Sequence, residues 1–164
     1  MSRAARRFGG AALLLALAAG QAVRAADCVV STSGVAFGVY DSSLETPNDS
    51  TGALTVTCTY VTGSATRVSY EVALSTGNSG NYAQRLLRAG TATLNYNLFD
   101  SATRTRVWGN GTAGTGLVGG TLLVGPGVGN NTRQESHPVY GRIPSRQDAA
   151  IGTYSDSIMV TLTF

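Results

Sequence analysis

G-T-Y-S-D-S-I-M-V-T-L-T-F, Gly152 to Phe164, is the stretch on which the fold turns. Ile158, Val160, Leu162 and Phe164 share one face of an extended strand and Met159, Thr161 and Thr163 the other, because successive side chains of a strand alternate sides. No Lys or Pro interrupts the run, and the sequence stops on its last apolar residue. The expectation is an open sheet edge whose unpaired N–H and C=O groups recruit a strand from another chain.

Moving back from that strand, short alternating segments separated by turn residues recur, and no window carries a helical period. Cys28–Ser31 and Val35–Tyr40 read as a first strand broken at Ser33-Gly34. A polar connection is expected over residues 41–52, with Pro47 and Asn48-Asp49 as turn formers. Leu54, Val56, Cys58 and Tyr60 alternate with threonines, and Val68, Tyr70, Val72 and Leu74 repeat the pattern. Further short strands are expected at residues 84–89, around Leu94, Tyr96 and Leu98, at 106–108, at 121–124 and at 134–144. Residues 109–131 are glycine-rich and read mainly as loop. Seven or so strands with regular turns predict an all-β sandwich.

The N-terminus has a different character. Arg3, Arg6 and Arg7 precede an apolar run of about a dozen residues, Phe8–Ala19, followed by small residues. A bilayer span takes about 20 apolar residues, so residues 1–25 are read as a secretory signal peptide cleaved after Ala25, leaving a domain over 26–164. All 12 basic residues are Arg, and four of them leave with that segment. The remaining eight face nine acidic residues, a net charge of −1, so no basic stripe for nucleic acid survives. Cys28 and Cys58 permit one bridge in an oxidising compartment, with two separate buried thiols as the alternative.

Catalytic readings find little support. Residues 114–119 match G-x-G-x-x-G, yet they lead through Gly120 into T-L-L-V-G-P-G rather than into a helix that would hold a pyrophosphate. The absence of Lys removes a phosphate-binding P-loop. His137 is the only histidine, no G-x-S-x-G accompanies it, and the carboxylates lie mostly at expected turns. No cofactor, metal or catalytic residue is therefore predicted, and the chain is not read as an enzyme. Most of the set formed by Trp108 and the seven tyrosines sit at inward-looking strand positions, which favours a core role over a carbohydrate platform.

Taken together, C-V-V-S with F-G-V-Y-D, T-V-T-C-T, L-N-Y-N-L-F, V-W-G-N-G, V-Y-G-R-I-P and the terminal strand resemble the spore coat protein U domain family, the pilin-like subunits of archaic chaperone-usher pili. The resemblance implies an immunoglobulin-like β-sandwich lacking its final strand and completed by a donor strand. It implies a periplasmic pilus chaperone, an outer-membrane usher and the N-terminal donor strand of a neighbouring subunit as partners. It also implies export through the periplasm to the cell surface, with roles in adhesion and biofilm, and a Cys28–Cys58 disulfide. Val35, Phe37 and Val39 would line one wall of the strand-acceptor groove, and Ile158, Val160, Leu162 and Phe164 the other. The chain departs from the pattern in one respect: after cleavage only Ala26 and Asp27 precede Cys28, which leaves no donor segment. The expectation is an acceptor-only tip subunit or a coat component. The alternative is a free-standing secreted carbohydrate- or surface-binding β-sandwich module.

Overall fold

Threonine and β-branched residues alternating with apolar ones favour strands with one buried face, and that is how the chain is built in the computed structural model, which describes residues 24–129 and 131–164. Among the described residues eight strands occur in order: β1 (Ala26–Thr32), β2 (Asn48–Tyr60), β3 (Thr66–Leu74), β4 (Arg85–Ala89), β5 (Ala92–Phe99), β6 (Val118–Val124), β7 (Thr132–Ile143) and β8 (Val160–Thr163). A short 3-10 turn, Gly77–Ser79, lies between β3 and β4. Residues 1–23, which carry nearly all of the expected signal peptide, lie outside the described residues.

The strands form two antiparallel sheets, β1-β2-β7-β5-β4 and β6-β3-β8. The longest ladder joins β2 to β7 from Asn48↔Ile143 to Thr59↔Thr132. Its inward side chains include Leu54, Val56 and Cys58 from β2 and Val139 and Ile143 from β7, all buried. Leu87, Leu94, Tyr96 and Leu98 extend that face, while Tyr70, Val72, Leu74 and Val124 oppose it from the second sheet. Cys28 stands directly across from Cys58 in the β1–β2 register, and the two form a disulfide.

Several boundaries differ from the sequence expectation. Asn48–Gly52 belongs to β2 rather than to the preceding connection. Those residues are weak strand formers, but the C-terminal half of β7 supplies a complete ladder that overrides local preference. Residues 106–108 form only isolated bridges, Phe99↔Val107 and Trp108↔Gly116. The glycine-rich region is more regular than expected, because β6 begins at Val118 and pairs across Gly119 and Gly120 to Glu71 and Tyr70. At Gly120 a side chain would collide with Glu135 and the Tyr70 hydroxyl, so the glycine serves close sheet packing rather than loop freedom.

The largest difference lies in Val35–Tyr40. β1 ends at Thr32, and residues 33–40 join no ladder. Gly34 and Gly38 both take φ of +69°, outside the strand region, so the alternating Val35, Phe37 and Val39 run beside the sheet without pairing in it.

Candidate functional site

An open groove of about 800 Å3 lies between the sheets. Its floor is made of core residues, among them Leu54, Leu74, Leu94, Leu98, Val139 and Ile143. One wall is the unpaired segment 34–40, and the other is the C-terminal segment from Ala149 to Val160.

The first wall is seated by two glycines. A Cβ at Gly52 would strike the Gly34 carbonyl, and one at Gly141 would come within 2.6 Å of the Phe37 ring and 2.8 Å of Val35. Without those side chains, Val35 and Phe37 settle over β2 and β7, and Phe37 meets Tyr96 edge-on with ring centroids 5.9 Å apart. Side chains of β2 then hold the wall's backbone. Ser50 Oγ donates to the Ala36 carbonyl at 2.6 Å, and Asn48 Nδ2 donates to the carbonyls of Phe37 and Val39 at 3.2 and 3.1 Å.

The second wall changes sheets. Ser155 exchanges both backbone hydrogen bonds with Arg88 of β4, at 2.8 and 3.0 Å. Four residues later, Met159 is bound to Ser75 at the end of β3: its carbonyl accepts from Ser75 N–H and its N–H donates to Ser75 Oγ, both at 2.9 Å. Asp156 fixes the crossover, accepting from Tyr96 O–H at 2.7 Å and from the Asn78 N–H at 2.9 Å. Burial, reinforced by that carboxylate, pushes the Tyr96 phenol's pKa up, so it remains a neutral donor.

Arg85, fully buried, stands behind this crossover. Its Nε and Nη2 both donate to the Ser75 carbonyl, at 3.0 and 2.7 Å, Nη2 also reaches the Trp108 carbonyl at 2.8 Å, and Nη1 reaches Asn97 Oδ1 at 2.7 Å. Burial lowers the guanidinium's pKa, and these neutral acceptors compensate its lost hydration. An inward charge on edge strand β4 also discourages that edge from pairing with other chains.

Of the residues singled out from the sequence, Val35, Phe37, Val39, Ile158 and Val160 line the groove. Val35, Phe37, Ile158 and Val160 pack half-buried against the core, whereas Val39 is 92% exposed at the rim. Leu162 packs against the core beyond the groove, and Phe164, 40% exposed, lies under the Arg24 guanidinium at 5.5 Å. The floor residues and the supports Asn48, Ser50, Ser75 and Arg85 carry no signal in the sequence that assigns them to a site. Alternation marks Leu94, Tyr96 and Leu98 as inward, but nothing in it says that they border a groove.

His137 takes part in an interior cluster away from the groove. Tyr70 O–H donates to Glu135 Oε2 at 2.6 Å, which leaves the His137 nitrogen, 2.7 Å from the same hydroxyl, as donor to it. Gly114–Gly119 leads into β6, with no helix to receive a phosphate. Trp108 is wholly buried, as its core assignment required.

The chain as a whole resembles known proteins. The fold is similar to a chain of the CsuC-CsuE chaperone-tip adhesion subunit pre-assembly complex from the archaic chaperone-usher Csu pili of Acinetobacter baumannii, with a TM-score of 0.50 and 24% identity. That likeness covers 85% of this chain and 40% of the other, so the chain spans less than half of its neighbour's length. In sequence it is 33% identical over 135 residues to Protein U of Myxococcus xanthus, covering 78% of this chain and 70% of that protein. Residues 14–161 match the family described as Spore Coat Protein U domain. On the breadth of that match and the identity to Protein U, the chain belongs to the Spore Coat Protein U domain family.

Proposed function

We propose that the protein is a structural subunit of a chaperone-usher pilus or surface coat, and that its groove accepts an extended strand from another chain. One observation carries the reading: an apolar groove runs between segment 34–40 and the C-terminal segment that leads into β8, and among the described residues no strand pairs between the two. A β-strand is the ligand that satisfies both features, since its main chain pairs with an edge while alternate side chains fill apolar pockets. The sandwich of residues 26–164 is then completed first by a periplasmic chaperone and later, at an outer-membrane usher, by the N-terminal donor strand of a neighbouring subunit. The family and the likeness to a chain of a chaperone–subunit complex support a chaperone as partner.

We extend the proposal to an acceptor-only position, at a fibre tip or in a coat. Cleavage after Ala25 would leave Ala26 and Asp27 ahead of Cys28, and both are already committed to β1, paired with Tyr60 and Thr59. Such a chain accepts a strand without donating one. Producing the full chain in a periplasm with and without a chaperone, and sequencing the mature N-terminus, tests both parts. Aggregated protein that the chaperone rescues, starting at Ala26, is the expected result. A folded monomer without chaperone overturns the strand-acceptor reading, and a mature N-terminus well before Ala26 overturns only the acceptor-only position.

A further inference from the structure

We infer that Asn110 is a site of spontaneous covalent modification, at which the Gly111 backbone nitrogen displaces the side-chain amide as ammonia. The inference is independent of the groove and of any strand that it accepts. Asn110-Gly111 is the only Asn-Gly step in the sequence. A glycine after asparagine places no Cβ beside the attacking nitrogen. Both residues are exposed, in the turn between Trp108 and Gly116, which pair as an isolated bridge. By contrast Asn48, Asn95 and Asn97 lie within β2 and β5, where ladders hold the residue that follows each of them.

The turn presents the groups that the reaction needs. Asn110 Oδ1 accepts from the Thr112 N–H at 3.1 Å and from the Thr112 hydroxyl at 2.6 Å. These donors draw electron density from Cγ, and they stand on the oxygen that carries negative charge when a nucleophile adds. Among the described residues neither the Gly111 N–H nor Asn110 Nδ2 has a hydrogen-bond partner, so nucleophile and leaving group are both free. The Gly111 nitrogen gives its proton to water and bonds to Cγ; the Cγ–Nδ2 bond then breaks, and Nδ2 leaves with a proton taken from water. One further water opens the resulting five-membered imide at either carbonyl, which leaves aspartate or isoaspartate at position 110. Gly111 takes φ of +82°, so the turn itself also requires glycine there. Its base is tied down: Leu74 N–H donates to the Gly109 carbonyl at 3.0 Å, and Gly109 N–H to the Gly116 carbonyl at 2.9 Å. The new negative charge, or the extra backbone methylene of isoaspartate, is therefore confined to the exposed residues 110–114, above the core at Trp108.

The test is mass spectrometry of the folded full chain after incubation in mildly alkaline buffer. Trypsin leaves Asn110 in the peptide Val107–Arg133 with Asn130 and Asn131, so fragmentation localises the conversion of amide to acid. Conversion is expected at Asn110 ahead of every other asparagine, and faster as pH rises because the attacking nitrogen must lose its proton. Thr112→Ala should slow it by about tenfold in the folded chain, less than the loss of an oxyanion donor in an enclosed active site, because water substitutes here. Thr112→Ser should restore the rate, and in urea the three chains should react alike. Conversion at Asn110 in urea but not in the folded chain would show that the fold protects the residue, and would overturn the proposal. Equal folded rates for Thr112→Ala and the unaltered chain would overturn the part assigned to Thr112.

Discussion

The space between the sheets is finished in one region and unfinished in another. Around Trp108 every group has a partner: the side chain is wholly buried, its Nε1 donates to the Val72 carbonyl at 2.9 Å, its N–H donates to Leu98 at 2.9 Å and its carbonyl accepts from Arg85. A few residues along the same strands, Leu74 and Leu98, themselves buried, lie at the floor of an open groove that carries the exposed Val39 and Ile151 at its rim. Both regions are lined by the same kinds of residue. The difference teaches that apolar composition does not distinguish a core from a binding groove; the pairing state of the surrounding backbone does.

The comparison breaks most readily on the finished side. Trp108→Ala should cost about 3–5 kcal/mol, because it leaves a large cavity and an orphaned Val72 carbonyl; urea unfolding measures it. An equal loss from Phe37→Ala would mean that the groove wall is as tightly packed as the Trp108 site, and the contrast would collapse. Next is the bridge at the β1–β2 edge: replacing both Cys28 and Cys58 with Ala should destabilise by about 2–4 kcal/mol, seen as a lower unfolding midpoint that reductant no longer shifts.

Smaller changes sharpen the contrast. Gly141→Val should push Phe37 and Val35 into the groove, at a stability cost of about 1–3 kcal/mol, with a fall of at least about tenfold in affinity for a strand peptide, equivalent to 1.4 kcal/mol. Titration calorimetry beside thermal unfolding separates the two effects, and unchanged affinity would show that Val35 and Phe37 do not bound the site.

The smallest effect concerns pH. Asp49 on the outer face of β2 accepts two hydrogen bonds from Arg142, at 2.7 and 2.8 Å, and these hold its carboxyl below the usual range, with the charges of Arg142 and Arg104 adding to the effect and partial burial opposing it. A depressed folded pKa adds stability that is complete above the unfolded value of about 3.9 and is lost as pH falls through the folded one. The pair is partly exposed and solvent-screened, so the loss should stay below about 1 kcal/mol, and Asp49→Asn should abolish it. Because this pair lies on the outer face, strand affinity measured at the same pH values should not track it.

Residue by residue, much of this is legible in the sequence. The alternation at Leu54–Tyr60 and Val68–Leu74 marks the buried faces that β2 and β3 present, and Ile158 and Val160 turn the apolar side of the terminal segment inward. Other features are hidden. Asn48–Gly52 lacks strand character and is drawn into β2 by β7, while Val35–Val39 has that character yet joins no ladder. Asn48 reads as a turn former and instead holds the carbonyls of Phe37 and Val39, a contact across 11 and 9 residues that no local pattern announces.

The sequence by itself determined an all-β chain, the inward face of most strands and the pair of cysteines available for one bridge. Only the tertiary structure decided that two segments leave regular pairing, the first at Gly34 and the last between Ser155 and Met159, and so border a groove lined by Leu54, Leu94 and Leu98. The physical reason is that side-chain periodicity states which face of a strand avoids water, a local property. Which backbone lies beside that strand, and whether any lies over its apolar face, depends on contacts between residues far apart in the chain.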